Sequence, residues 1–138
     1  MKNIKLIKIN TVSDQKGQLS FFESQKNIEF DIKRIYYIYN AKEGVQRGFH
    51  AHKQLKQFLF CPSGSVKLFL DNGFEKSEII LDSPTIGLQI LPCVWREFTF
   101  LKQQSVLIVA ASEYYQESDY IRNYDMFLNY IKEYQNED

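Results

Sequence analysis

The chain contains two histidines, His50 and His52, which lie two positions apart in a segment with the composition of a β-strand. In a strand, residues i and i+2 project from the same face, so both imidazoles are predicted to enter one pocket. Two imidazoles in one pocket can ligate a metal ion, or they can transfer protons near neutral pH. The pair alone leaves both uses open.

Short β-strands separated by turns are predicted for most of the chain from residue 2 to residue 112. Residues 28–39 are rich in β-branched and aromatic side chains, and Asp71-Asn-Gly73 is a strong hairpin signal between two alternating segments. Residues 1–9 alternate lysine with aliphatic residues, as a half-exposed strand does. Many short strands at this spacing favour an all-β barrel or jelly roll over a layered α/β fold.

The C-terminal part of the chain is predicted to be a helix capped by Ser118. Its apolar residues recur at steps of three, four and three: Ile121, Tyr124, Leu128 and Ile131. The chain shows no internal repeat, linker or low-complexity tract, and its length suits one core. Residues 1–138 are therefore expected to form a single domain.

Charge and composition exclude several classes of protein. Lysine plus arginine and aspartate plus glutamate are balanced at 17 each, which removes the long-range attraction expected of a nucleic-acid binder. No stretch approaches the roughly 18 apolar residues of a membrane span, and residues 1–9 lack the apolar block of a signal peptide. Cys61 and Cys93 are interpreted as free thiols. These features favour a cytoplasmic protein that binds neither membrane nor nucleic acid.

The spacing around the histidines resembles the first conserved motif of the cupin superfamily: Gly44, five residues, His50-x-His52, four residues, Gln57, six residues, Gly64. In metal-binding cupins a glutamate ligand stands at the position of Gln57, and a second motif supplies a further histidine where Glu97 falls here. A neutral amide is a poor metal ligand. The resemblance therefore implies a cupin jelly roll without a metal ion, with a site of His50, His52 and Glu97 as the alternative.

Further motifs resemble one family more specifically. In order, they are Arg47-Gly-Phe-His-Ala-His-Lys53, Gly64-Ser65, Asp71-x-Gly73, Pro92-x-x-Trp95 and Ser118-Asp-Tyr-Ile-Arg-x-Tyr-Asp125-x-Phe127. Together they resemble the dTDP-4-oxo-6-deoxy-glucose 3,4-ketoisomerase family of bacterial deoxysugar pathways, from residue 28 to residue 128. The resemblance implies a homodimeric enzyme without cofactor or metal, with the nucleotide sugar bound in the barrel mouth.

The resemblance also implies roles for individual residues. His50 is assigned as the general base, and His52 as the acid or as the residue that orients the reacting hydroxyl. A tyrosine of the strand that carries Tyr36, Tyr37 and Tyr39 is expected to be catalytic or to position the substrate, and Tyr37 is favoured. Five further residues are expected to bind the diphosphate, the base or the sugar: Arg34, Arg47, Lys53, Trp95 and Arg122.

The implied reaction moves a ketone from C4 to C3 of the sugar through an enediolate, which one base and one acid can accomplish. A pyridoxal-phosphate-dependent aminotransferase is then expected to use the product for a 3-amino-3,6-dideoxyhexose of a surface polysaccharide. A nucleotide-sugar 3,5-epimerase and a non-catalytic sugar-binding cupin are the alternative functions. The configuration at C4 of the product stays open.

Overall fold

The computed structural model describes residues 1–136, which form twelve strands and one α-helix. The strands are β1 (Ile4–Lys8), β2 (Asn10–Asp14), β3 (Gly17–Phe21), β4 (Arg34–Ile38), β5 (Gln46–His52), β6 (Gln57–Ser63), β7 (Val66–Asp71), β8 (Lys76–Leu81), β9 (Ile86–Ile90), β10 (Trp95–Phe100), β11 (Val106–Ala111) and β12 (Tyr120–Ile121); α1 spans Tyr124–Asn136.

Two five-stranded sheets face each other and enclose the main core. One sheet has the order β1-β9-β6-β11-β4 and the other β12-β5-β10-β7-β8, with every pairing antiparallel. Buried side chains of both sheets, such as Leu59, Leu68 and Val109, form one cluster between them. This arrangement confirms the predicted all-β cupin jelly-roll barrel with a C-terminal helix.

Strand β4 is shorter than the predicted strand over residues 28–39. Ile28 and Phe30 are buried in irregular chain, where they pack with Phe58 in a separate cluster. Within β4 itself, burial alternates: the even-numbered residues face the barrel, and the odd-numbered residues are exposed. The alternation places Tyr36 inside and Tyr37 outside.

A β-bulge interrupts β5 where it pairs with β10. Arg96 lies opposite His50 and the next residue, Glu97, lies opposite Gly48, so Phe49 is an extra residue in β5. Gly48 and Phe49 both have positive φ angles, of 92° and 60°. A Cβ atom on Gly48 would stand 3.1 Å from the carbonyl oxygen of Arg96, so glycine suits this close approach of the two strands.

The C-terminal helix begins later than predicted. Instead of capping a helix at Ser118, residues 117–119 form a single 3-10 turn, and β12 follows by pairing Tyr120 with His52 of β5. Helix α1 then starts after Asn123, whose Oδ1 accepts the amide hydrogen of Met126 at 3.0 Å. Tyr120 and Ile121 are extended rather than helical because they pair with β5 and add a strand to the sheet that contains the histidines.

Helix α1 packs on the outside of the barrel against Trp95, through Phe127 and Ile131. The predicted hairpin turn between β7 and β8 also contacts this helix. Asp71 accepts the amide hydrogen of Gly73 with one carboxylate oxygen and the hydroxyl hydrogen of Tyr124 with the other. No helix within residues 1–136 is long and apolar enough to cross a membrane.

The β2–β3 hairpin stands apart from both large sheets. Its two strands pair only with each other among the described residues, and all of their residues are exposed. Val12 and Leu19, which lie opposite each other, are 59% and 61% exposed. No sequence pattern predicted this hairpin. The N-terminal strand β1 pairs with β9 of the same chain.

Candidate active site

His50 and His52 lie side by side at one end of the barrel, under the ring of Tyr120. The two imidazole centroids are 4.9 Å apart with nearly perpendicular rings, and the centroid of Tyr120 lies 5.0 Å from His50 and 4.4 Å from His52. Pairing of β12 with β5 places Tyr120 there. The two imidazoles, which were predicted to enter one pocket, form a cluster of three rings with Tyr120.

Asp119 contacts the imidazole of His52 directly. Nδ1 of His52 lies 3.0 Å from Oδ2 of Asp119. The same carboxylate accepts amide hydrogens from Gln54 at 2.8 Å and from Leu55 at 3.3 Å. Nε2 of His52 and Nδ1 of His50 are buried and have no hydrogen-bond partner among residues 1–136.

Both imidazoles are neutral at pH 7. Burial lowers the pKa of His50 to about 3, and the nearby charge of Arg96 contributes in the same direction. Burial also lowers the pKa of His52 to about 4, although its hydrogen bond with Asp119 partly offsets the effect. Neither imidazole therefore has the ordinary histidine pKa of about 6.5. Neutral imidazoles are the form that can accept a proton from a substrate.

A buried network occupies the barrel interior next to the histidines. Arg96, which is fully buried, donates from Nη1 to Oε1 of Gln57, and Nε2 of Gln57 donates to the hydroxyl oxygen of Tyr36 at 2.9 Å. Two further nitrogens of Arg96 donate to the carbonyl oxygen of Val94. Burial lowers the pKa of Arg96 to about 10, so the guanidinium keeps its charge at pH 7.

Arg96 rather than Glu97 faces the histidines. This corrects the alternative in which Glu97 forms a metal site with His50 and His52. Arg96 lies opposite His50 in the paired strands, and paired residues project from the same face of a sheet. Glu97 projects from the other face, where it accepts the indole hydrogen of Trp95 at 2.8 Å. Residues 1–136 contain no cluster of three or more histidine, cysteine or acidic side chains arranged to hold a metal ion.

Two adjoining cavities open at this end of the barrel. The larger, of about 330 Å³, is lined by Arg34, Tyr36, Ile38, Arg47, Gly48, His50, Phe98, Tyr115, Tyr120 and Arg122. The second, of about 260 Å³, is lined by Arg34, His52, Gln54, Leu55, Glu113, Tyr114, Gln116, Asp119 and Tyr120. Arg34 and Tyr120 line both cavities, so the two cavities are neighbours, and each has one of the histidines in its lining.

Three arginines give the larger cavity a cationic wall. The guanidinium of Arg34 lies over the rings of Tyr36 and Tyr115, and the guanidinium of Arg122 lies 4.2 Å from the ring centroid of Tyr120. Arg47 lines the same wall and is exposed. Glu117 pairs with Arg122 through two hydrogen bonds, of 2.6 and 3.0 Å.

Five of the eight residues that the sequence singled out line the two cavities: His50, His52, Arg34, Arg47 and Arg122. The bulge in β5 explains why Arg47 is among them. In a strand without the bulge, Arg47 and His50 are three positions apart and would project from opposite faces. The bulge leaves Phe49 out of the pairing with β10, so Arg47 projects on the same side as the histidines.

The other three predicted residues lie elsewhere. Tyr37 is 60% exposed on the outer face of β4, where its ring lies 5.6 Å from that of Tyr39, so the inward tyrosine is Tyr36. Trp95 is buried under helix α1 because it alternates with the inward Arg96. The ammonium of Lys53 lies 5.9 Å from the ring centroid of Tyr130 on the helix.

Three residues beside the histidines have no role in the sequence prediction: Arg96, Asp119 and Tyr120. Tyr36 was among the candidate tyrosines, but Tyr37 was favoured over it. Alternation was a signal for Tyr36, because it shares the parity of Arg34 in β4. Asp119 and Tyr120 belong to the quoted C-terminal motif, but 67 positions separate His52 from Asp119. Their contact depends on the pairing of β12 with β5, which no local pattern indicates.

Comparison with known proteins agrees with this geometry. The sequence matches the family FdtA, described as WxcM-like, C-terminal, over residues 2–132. It is 48% identical, over 92% of this chain and 91% of the relative, to a TDP-4-oxo-6-deoxy-alpha-D-glucose-3,4-oxoisomerase of Aneurinibacillus thermoaerophilus.

Solved structures of similar proteins superpose closely. One is a histidine-to-asparagine mutant of the 3,4-ketoisomerase QdtA from Thermoanaerobacterium thermosaccharolyticum, in complex with TDP-4-keto-6-deoxyglucose; it has a TM-score of 0.93, 44% identity and 96% coverage of both chains. Another is the TDP-quinovose 3,4-ketoisomerase WlaRB from Campylobacter jejuni, with a TM-score of 0.90, 40% identity and coverage of 94% of this chain and 99% of the other. The chain therefore belongs to the FdtA family, together with these sugar 3,4-ketoisomerases.

Proposed function

We propose that this protein isomerises TDP-4-oxo-6-deoxy-glucose by moving the keto group from C4 to C3. The observation that carries the proposal is the pair of neutral imidazoles beside a cavity with three arginines on its wall. Imidazoles supply acid–base chemistry, and guanidinium groups bind a diphosphate through paired hydrogen bonds. The sugar nucleotide is taken from the relatives that are 48% and 44% identical.

The reaction requires only proton transfers. The C4 carbonyl acidifies the hydrogen on C3, a neutral imidazole removes it, and an enediolate forms. A proton is then delivered to C4, while the hydroxyl proton leaves the oxygen on C3 and the oxygen on C4 gains one. His50 is assigned as the general base at C3, because it lines the larger cavity. His52 serves as the acid or orients the reacting hydroxyl.

Tyr36 is suited to stabilise the enediolate oxygen. Its hydroxyl oxygen already accepts a hydrogen from Gln57, so its own hydrogen is available for a ligand in the cavity. Burial raises the pKa of Tyr36, which keeps the hydroxyl protonated at pH 7. Tyr36 thus takes the role that the sequence analysis assigned to Tyr37.

Identifying the product that the protein forms from TDP-4-oxo-6-deoxy-glucose tests this function directly. Proton NMR should show a 3-keto sugar nucleotide accumulating in the presence of the protein. Retention of the 4-keto group with inversion at C3 or C5 would instead support the nucleotide-sugar 3,5-epimerase. Binding without any conversion would support the non-catalytic sugar-binding cupin.

The proposed reaction uses no metal ion or cofactor. Gln57 occupies the position at which metal-binding cupins have a glutamate ligand. The charged guanidinium of Arg96 is buried beside Gln57, and its charge disfavours binding of a second cation there. Activity is therefore expected to survive treatment with EDTA, measured by the same NMR assay after removal of the chelator-bound ions. Loss of activity with recovery on addition of one divalent ion would contradict the metal-free mechanism.

The proposal includes a homodimer whose subunits are single domains of residues 1–138, of which residues 137 and 138 lie outside the described part. Apolar side chains on the outer face of β4, Ile35 and Tyr37, and on the β2–β3 hairpin, Val12 and Leu19, are exposed and support a partner subunit. Strand β4 is at the edge of its sheet, and β2 and β3 pair with no other strand among residues 1–136. Exposed edges of this kind are commonly covered by pairing with another chain, which supports an exchange of strands between subunits.

The product also defines the next step. A ketone at C3 is the group that an amine cofactor converts through a Schiff base, so a pyridoxal-phosphate-dependent aminotransferase is the proposed consumer. The resulting 3-amino-3,6-dideoxyhexose would enter a surface polysaccharide. The buried free thiols Cys61 and Cys93 support a reducing compartment, the cytoplasm, as the location.

A further inference from the structure

The chemistry of a neutral histidine depends on which ring nitrogen carries the hydrogen. In one tautomer a given nitrogen donates a hydrogen bond, and in the other it accepts one or takes a proton. Both histidines of the site are neutral at pH 7, so the tautomer of each determines what it offers to a sugar hydroxyl. The structure determines the tautomer of one of these two histidines.

The contact with Asp119 determines the tautomer of His52. An ionised carboxylate can only accept hydrogen bonds, and its Oδ2 atom lies 3.0 Å from Nδ1 of His52. Nδ1 therefore carries the hydrogen, and Nε2 keeps its lone pair. Nε2 lies on the opposite side of the ring, is buried, and has no hydrogen-bond partner among residues 1–136.

Asp119 is itself held in place by the chain that leaves β5. Its carboxylate accepts the amide hydrogens of Gln54 and Leu55, and its carbonyl oxygen accepts that of Lys53 at 3.0 Å. Although partial burial acts in the opposite direction, hydrogen bonds from His52 and Gln54 keep the pKa of Asp119 below its usual value. The acceptor is thus fixed in position and ionised at pH 7.

His50 has no equivalent partner. Its Nδ1 atom is buried and has no side-chain hydrogen-bond partner among residues 1–136; only the backbone of Gly48 acts on the ring in the direction that raises its pKa, and its neighbours are the rings of His52 and Tyr120. The two histidines, which are equivalent in the sequence motif, are therefore inequivalent in the structure. Only His52 is locked in one tautomer by a carboxylate.

We propose that Asp119 is a positioning residue that holds His52 as the Nδ1–H tautomer, so that Nε2 accepts the proton of the sugar hydroxyl as the keto group moves. This inference rests on the proposed function. The proton leaves the oxygen on C3 for Nε2 and returns from Nε2 to the oxygen on C4, while the carbon-bound proton is handled separately. Asp119 stabilises the imidazolium that exists between the two transfers.

Histidine NMR can read the tautomer without reference to activity. Because the chain has two histidines, selective ¹⁵N labelling gives only two ring systems, and the variant His50→Asn assigns them. In the wild type, His52 is expected to show a protonated Nδ1 and an unprotonated Nε2. A wild-type His52 protonated at Nε2 would overturn the proposal, whether or not any variant folds.

The variant Asp119→Asn should reverse this pattern. The shorter amide contact, 2.8 Å from Gln54, keeps the side-chain oxygen of Asn at the Oδ1 position. The NH₂ group then faces Nδ1 of His52 and favours the Nε2–H tautomer. We expect kcat to fall by roughly 10²- to 10⁴-fold, with the affinity for TDP unchanged within about twofold.

Two further variants complete the test. Asp119→Glu retains a carboxylate and should restore the wild-type tautomer and part of kcat. Asp125→Asn makes the same chemical change at an exposed position at the start of α1 and should alter neither. An Asp119→Asn variant with an unchanged tautomer, or with a reversed tautomer and unchanged kcat, would overturn the proposal. Absence of turnover by the wild type would instead refute the proposed function.

Discussion

At the scale of single residues, the site combines neutral bases with one buried permanent charge. Arg96 lies next to both histidines and contributes to the low pKa of each, after burial. Gln57 and the carbonyl oxygen of Val94 satisfy the hydrogen-bonding groups of this guanidinium, which offsets part of the cost of burying it. The charge is therefore built into the barrel and is present before any substrate binds.

His50 is expected to be required for turnover but not for folding. His50→Asn removes the proposed base at C3 and should lower kcat by roughly two to four orders of magnitude, because no other group is assigned to that proton. The affinity for TDP and the thermal stability should be retained, as measured by calorimetry. Near-normal turnover of this variant would place the base elsewhere. In D₂O, the wild type should place deuterium at C4 of the product.

The pKa of His52 predicts that the fold loses stability in acid. The unfolded chain binds a proton at the ordinary histidine pKa of 6.5, whereas folded His52 binds it only near pH 4. The free energy of unfolding should therefore decrease as the pH falls through this interval, by about 2 kcal/mol between pH 7 and pH 5 for this residue. Urea denaturation at the two pH values measures it. His52→Asn should reduce the dependence, and equal dependence in variant and wild type would contradict the assignment.

At the scale of elements, a few turns and one short strand determine which side chains meet. Strand β12 contains two residues, yet its pairing with β5 brings Tyr120 over the histidines and Asp119 beside His52. The same pairing shortens the predicted helix, because these residues are extended rather than helical. The C-terminal motif thus belongs to the site as well as to the helix.

The two glycines of the cupin motif should differ in their tolerance of substitution. Gly44 and Gly64 both have positive φ angles, of 86° and 91°. A Cβ atom on Gly44 would meet nothing within 4 Å, whereas one on Gly64 would lie 2.5 Å from Cα of Ser105. Gly44→Ala should cost about 1–2 kcal/mol from backbone strain alone, and Gly64→Ala at least about 3 kcal/mol. Equal losses in chemical denaturation would contradict this distinction.

Local patterns were sufficient for much of the architecture. The hairpin at Asp71 and the pairing of His50 with His52 on one face follow from turn chemistry and strand alternation. The bulge at Phe49 could not be predicted, because a phenylalanine with positive φ has no sequence signature. Alternation likewise separates the two faces of a strand without saying which face is inside, and the structure places Tyr36, rather than the favoured Tyr37, on the inner face.

At the scale of the whole molecule, two features present exposed apolar side chains on strands: the outer face of β4, with Ile35 and Tyr37, and the β2–β3 hairpin, with Val12, Leu19 and Phe21. A hairpin that is exposed on all sides buries too little apolar surface to be stable by itself. A second subunit that covers it would account for its presence and for the aromatic residues of β4.

A dimer is expected in light scattering at micromolar concentration, with twice the mass of one chain. Tyr37→Glu should shift the mass toward that of one chain, because it introduces a charge into the proposed interface. Phe74→Glu makes a comparable change at a residue in the β7–β8 turn that is 66% exposed, and it should leave the dimer intact. A monomeric wild type, or equal effects of the two variants, would contradict the proposed interface.

The bulge in β5 has a consequence for insertions and deletions. The bulge sets Phe49 aside as an extra residue, so Arg47 and His50 are oriented like residues two positions apart in a regular strand. Removing Phe49 would place them two positions apart in the sequence, and a regular strand would then keep both on the cavity side. Straightening the strand with Phe49 retained would instead turn the arginine to the opposite face. A homologue with one residue fewer here would therefore keep the site, whereas one that kept every residue but lost the bulge would lose it. Part of the function is thus encoded in the backbone conformation of Gly48 and Phe49 rather than in the side chains of the site.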